Sequence, residues 1–157
     1  MSYTFTLTTV IPATPKQIYD TWLDSRGHSA MTGGKATQSS KLGGKAMAWD
    51  GYITGKNLEL KSGKRIVQSW RTSEFSKDHA DSQVTVTLAA AKTGTRLTLK
   101  HSGVPDGQTS YETGGWKTHY FEPMKTYFTN MRMVAGIKAG GRKVKQKMAK
   151  KKATRKT

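Results

Sequence analysis

The chain has 157 residues, enough for one domain with a full hydrophobic core. It contains no cysteine, which removes disulfides, thiolate metal sites and cysteine nucleophiles and fits a reducing compartment. Its 27 Lys and Arg against 10 Asp and Glu give a net charge of +17, weighted to the C-terminus, where no acid follows Glu122.

In chain order, Tyr3, Phe5, Leu7, Thr9 and Ile11 alternate with polar residues and predict a half-buried strand closed by Pro12. Thr14-Pro15-Lys16-Gln17 supplies an N-cap threonine, a first-turn proline and a capping-box glutamine, so a helix begins here with Ile18, Tyr19, Trp22 and Leu23 on one face. Asp24-Ser25 predicts the cap of a second short helix through Met31. From Gly33 to Thr72, turn signals at Gly43-Gly44, Gly55-Lys56 and Ser62-Gly63 separate short strands. One carries Met47, Trp49, Gly51 and Ile53 on a face, the next Leu58 and Leu60, the third Ile66, Gln68 and Trp70. Two longer strands follow on Val84, Val86 and Leu88 and on Leu97 and Leu99, joined at Lys92-Thr93-Gly94-Thr95.

After these strands, Trp116, Tyr120, Met124, Tyr127, Met131 and Val134 recur at helical spacing and predict a long amphipathic helix that bends or restarts at Pro123. Helices gathered beside an antiparallel sheet make the class α+β. The domain is expected over 1–137, followed by a disordered lysine-rich tail over 138–157. With no signal-like N-terminus and no run of about 20 apolar residues, the expected location is cytoplasmic.

Motifs for chemistry are sparse. His28, His79, His101 and His119 are scattered without ligand spacing, so no metal and no cofactor is expected. The run His101-Ser102-Gly103-Val104-Pro105-Asp106-Gly107 holds a histidine, a serine and an aspartate. Adjacent strand residues point to opposite faces, however, so it is read as a strand-to-helix corner and no catalytic residue is assigned. Asp50 is the one carboxylate expected inside a strand, outward or at a bulge beside Gly51. The tail cations Lys143, Lys145, Lys147, Lys150, Lys151, Lys152, Arg155 and Lys156 are expected to attract nucleic acid or another anionic surface without reading sequence, since no aromatics interleave them.

Five stretches in order carry a family resemblance: Ile11–Asp24, Gly43-Gly44-Lys45 with Trp49–Gly55, Ile66–Arg71, Gly94–Leu99, and His101–Pro105. Together they resemble the stand-alone domains homologous to the C-terminal domain of the activator of heat-shock protein 90 ATPase, in the SRPBCC superfamily. The resemblance covers residues 3 to about 135. It implies a helix-grip fold, a curved antiparallel sheet of six or seven strands holding a long C-terminal helix, with a cavity between them that often takes apolar ligands. It also implies a heat-shock protein 90-type chaperone as a partner. The eukaryotic activators carry an Asn-x-Asn-Asn-Trp-His-Trp segment in a separate N-terminal domain, and these 157 residues contain none, so ATPase stimulation does not carry over directly.

The expected cavity residues are Met47, Trp49, Trp70, Trp116, Tyr120, Phe121, Met124, Phe128 and Met131, large or adaptable side chains that could equally be plain core. The resulting expectation is a non-enzymatic binding module for a small hydrophobic ligand or a protein partner. The alternatives are a co-chaperone of heat-shock protein 90, and a cyclase- or hydrolase-like enzyme. The last would need a polar pair inside the cavity, which the sequence does not identify.

Overall fold

The alternating N-terminal segment forms strand β1 (Ser2–Ile11), exposed and half-buried by turns until Ile11 is fully enclosed. The structure, a computed structural model, describes residues 2–147, with side chains to Ala135. Helix α1 (Pro15–Trp22) opens on the expected capping box: Gln17 N–H donates to Thr14 Oγ1 at 3.1 Å and Thr14 N–H to Gln17 Oε1 at 2.8 Å. That pair satisfies donors a helix start leaves free. Asp24 caps α2 (Ser25–Thr32) by accepting from Gly27 N–H at 2.7 Å, and Gly33 ends it at φ 87°, where a Cβ would be strained.

Five strands follow: β2 (Lys45–Ala48), β3 (Ile53–Lys61), β4 (Arg65–Thr72), β5 (Ser82–Ala91) and β6 (Gly94–Pro105). With β1 they make a six-stranded antiparallel sheet in the order β1-β6-β5-β4-β3-β2. Ile18 and Trp22 of α1, Met31 of α2, and Met124 and Phe128 of the long C-terminal helix are fully buried with Val86 and Leu99 of the sheet in one core. Each such side chain contributes about 1.5–3 kcal/mol of burial.

The C-terminal helix starts earlier than its apolar spacing predicts, and it starts wide. Two π-helical stretches, Tyr111–Gly115 and Lys117–Phe121, lead into α3 (Glu122–Lys147). Glu122 N–H reaches back to Lys117 C=O, five residues away, and the next residue, Pro123, has no N–H to give. In a regular helix the proline ring would press on the carbonyl four residues earlier. Wider winding ahead of it takes up the conflict, and regular α-helix restarts at Glu122, beside the proline.

Two other expectations are corrected. Trp49 and Gly51 do not continue a strand with Met47, because β2 ends at Ala48 and Trp49, Asp50 and Gly51 have φ of 51°, 56° and 90°. This left-handed run reverses the chain, and Asp50 is an exposed turn residue. A bulge between Asn57 and Glu59 leaves Leu58 exposed. Helix α3 is described as far as Lys147. The side chains of Lys143, Lys145 and Lys147, and all of Lys150, Lys151, Lys152, Arg155 and Lys156, lie outside the described residues. Among the described residues no helix is long and apolar enough to cross a membrane.

Candidate functional site

A cleft of about 560 Å³ opens between the β2–β3 turn, strand β4 and the π-wound segment, within the roughly 300–1,000 Å³ usual for small-molecule sites. Its walls are the rings of Trp49, Tyr52, Trp70, Tyr111, Trp116, His119 and Tyr120, with Ile53 and the backbone of Gly114 and Gly115 between them. Ser110, Thr113 and Thr118 complete it, and among the described residues no Asp, Glu, Lys or Arg lines it.

Trp70 is central because the inward face of β4 sets it among other rings. It meets His101 edge-on at 4.6 Å and Tyr111 at 5.1 Å, and lies 5.4 Å from Trp116 at 36°. Such arrangements add about 0.5–1.5 kcal/mol per pair beyond area burial. Behind this wall runs a polar chain. Trp116 Nε1–H donates to His101 Nδ1 at 3.2 Å, His101 Nε2 lies 2.9 Å from Ser82 Oγ, and Ser82 O–H donates to the Trp70 carbonyl at 2.6 Å. Since the indole can only donate, His101 is neutral with its proton on Nε2, and every group in the chain is satisfied. Burial disfavours the imidazolium and pulls the pKa of His101 down to about 3.

His28 is held in the opposite tautomer. Its Nδ1–H donates to the Trp22 carbonyl at 2.8 Å, so Nε2 accepts from Tyr120 O–H at 2.7 Å. Burial lowers the His28 pKa to about 4 and pushes that of Tyr120 up. The Tyr111 hydroxyl is likewise occupied, donating to Gln108 Oε1 at 2.7 Å and lying 2.9 Å from Thr72 Oγ1. Serine and histidine do meet here, but as Ser82 and His101 across the sheet, not as the neighbours His101 and Ser102. Ser82 is buried, its proton is committed to a carbonyl, and neither residue lines the cleft. Ser102 points outward toward the Gln83 carbonyl. A nucleophile needs both access and a free base, and this pair offers neither.

The outer lip is locally strained. Trp49 and Asp50 are the described non-glycine residues at positive φ, a conformation that costs an L residue about 1–2 kcal/mol. The Trp49 ring lies edge-on to His119 at 5.2 Å, and its Nε1 is buried without a hydrogen-bond partner. Gly34 makes room for it, because a Cβ there would collide with the indole.

Of the nine residues expected at the cavity, Trp49, Trp70, Trp116 and Tyr120 come together at the cleft. Phe121, Met124 and Phe128 are packed solidly in the core. Met47 is exposed because β2 turns Ala46 and Ala48 inward, and Met131 is exposed with every residue from Thr129 to Ala135, where α3 has outrun the sheet. Sequence reasoning missed Tyr52, Tyr111, His119 and the two glycines. Asp50-Gly51, a strong hairpin signal, was the cue that Tyr52 follows a turn; nothing in the periodicity marks Tyr111. Among the described residues no group of three or more His, Asp or Glu is placed to hold a metal ion.

Residues 12–129 match the family described as activator of Hsp90 ATPase homolog 1-like protein. The chain belongs to this family. It is 31% identical over 116 residues to an activator of 90 kDa heat shock protein ATPase homolog from Dictyostelium discoideum, covering 73% of this chain and 30% of that protein. Against activator homolog 1 from Homo sapiens it is 28% identical over 123 residues, covering 78% and 36%. The chain thus spans about a third of the length of these relatives. An HSP90 activator from Plasmodium falciparum has the same fold, with a TM-score of 0.71 at 22% identity over 79% of this chain and 94% of that one.

Proposed function

We propose that the domain is a binding module of this activator family whose aromatic cleft holds a small hydrophobic ligand without transforming it. The observation that carries the reading is the convergence of locally unfavourable features on one hollow. Trp49 is left-handed with an unpartnered N–H, the opposite wall is π-wound, and that wall contains Gly114 and Gly115, each about 1 kcal/mol worse than alanine in a helix interior. Departures from local preference gather where a fold serves a ligand rather than its own stability. Among the described residues no carboxylate lines the cleft, and His28 and His101, the two buried histidines behind its walls, are neutral and tied into hydrogen bonds. These facts support holding over catalysis. A saturable shift in melting temperature with apolar compounds tests the reading, and the absence of any shift across a chemically varied panel would remove it.

A second reading, a co-chaperone contact with a heat-shock protein 90-type partner in the cytoplasm, is supported by the names of the Dictyostelium and human relatives. Measuring chaperone ATPase turnover with and without saturating protein tests it. The basic C-terminal run is proposed to add salt-sensitive attraction to nucleic acid or anionic surfaces.

A further inference from the structure

Resting on the reading of the cleft as a ligand site, we infer that its ligand is an uncharged, flat aromatic molecule, inserted between the Trp49–Tyr52 lip and the Gly114–Gly115 wall. Seven of the thirteen lining residues carry aromatic rings. Three of their polar tips are already used behind the walls: Trp116 Nε1 on His101, Tyr120 Oη on His28, Tyr111 Oη on Gln108. What the cleft offers is therefore mainly ring faces and edges, with the buried Trp49 Nε1–H as an unpartnered donor at the lip, and rings recognise other rings through offset and edge-to-face contact. A flexible aliphatic chain gains no such contact and loses rotamer freedom on entry.

Charge argues the same way. Among the described residues no Lys or Arg lines the cleft, and no Asp or Glu does. A carboxylate or ammonium moving inward would lose water and find no countercharge.

The glycine wall supplies the flatness. A Cβ added at Gly114 would meet nothing nearer than Thr118 Oγ1 at 4.0 Å, so the position has room for a side chain and is left without one. Gly114 has ordinary φ, unlike the glycines of the turns. The space above it is kept by sequence, not forced by crowding.

The test uses the full chain and three probes: acetonaphthone, its charged counterpart naphthoate, and the aliphatic decanol. Quenching of tryptophan emission and thermal shift report binding. Acetonaphthone is expected to bind saturably and about tenfold tighter than either other probe. Gly114→Leu, whose Cβ would meet nothing nearer than 4.0 Å, is expected to fill the hollow and weaken acetonaphthone at least tenfold while keeping the melting temperature. Thr118→Phe serves as a second filling variant from the same wall. Decanol or naphthoate binding as tightly as acetonaphthone would overturn the aromatic, uncharged class and leave the cleft a ligand site. No binding by any probe would overturn both, and unchanged acetonaphthone affinity in both variants would place its site elsewhere and overturn the inference.

Discussion

Trp116 donates its indole proton to Nδ1 of His101 across 3.2 Å, and that contact fixes the protonation of a histidine with no measurable exposure. One side chain belongs to the π-wound wall and the other to β6, so the bond ties the cleft's wall to the sheet. The same logic ties α2 to the wall through His28 and Tyr120.

Both histidines make stability depend on pH with a definite sign. Folding lowers them to about 3 and about 4 from an ordinary value near 6.5, chiefly by burial. Between those values the unfolded chain binds more protons, so the contribution is complete above about pH 6.5 and is lost as pH falls toward the folded values. Urea unfolding at about pH 5 is expected to show a loss relative to about pH 7 on the order of 2 kcal/mol per histidine. His101→Gln should remove about half of that drop. A wild-type midpoint that does not move between the two pH values would refute the assignment.

The inner face of the sheet also carries a polar cluster. Trp22 Nε1 donates to Gln68 Oε1 at 3.3 Å, Gln68 Nε2 to Asn57 Oδ1 at 2.9 Å, and Asn57 Nδ2 to the carbonyls of Ser39 and Lys41 at 2.8 and 2.9 Å. Replacing Gln68 with leucine orphans groups on both sides and should cost about 2–4 kcal/mol. The double change Gln68→Leu with Asn57→Leu is expected to cost less than the sum of the two singles, because the partners are removed together. Strict additivity in denaturant midpoints would count against a coupled cluster.

Two glycines should respond in opposite ways to alanine. At Gly55 an added Cβ would run into the Ser69 backbone carbonyl, so Gly55→Ala is expected to destabilise by several kcal/mol, at the upper end of single substitutions. At Gly114 the space is open, and Gly114→Ala should be neutral or stabilising by up to about 1 kcal/mol. Melting temperatures of the two variants decide the matter, and a Gly114→Ala chain as damaged as Gly55→Ala would show the wall to be packed.

The tail's contribution is separable by charge alone. Changing Lys150, Lys151 and Lys152 to glutamine should weaken duplex DNA binding and reduce the logarithmic salt slope by up to about 2–3. Equal affinity and slope would exclude these lysines as the contact.

The regular parts of the fold were legible because their causes are local. The alternation of β1, the Thr14–Gln17 box and the Asp24 cap all express short-range geometry, and each appears where expected. The cleft was half legible. Trp70, Trp116 and Tyr120 follow from periodicity, but the π winding that aims Tyr111 and His119 depends on a bond register that leaves no mark in apolar spacing. The neutral, buried state of His28 and His101 was not readable either, since it is set by partners 92 and 15 residues away.

The strand order carries a consequence for the way the chain acquires its shape. Strands β2 to β6 each pair with their neighbour in sequence, so that meander can form as it is made. β1 pairs only with β6, and its partner for Ile11 is Thr95. Of these six strands, the first in sequence is therefore the last to be paired. Ser2–Ile11, a ten-residue segment with no charged side chain, waits without a strand partner until β6 emerges. Closure over that distance slows folding, and the waiting strand is the segment most open to wrong partners during synthesis.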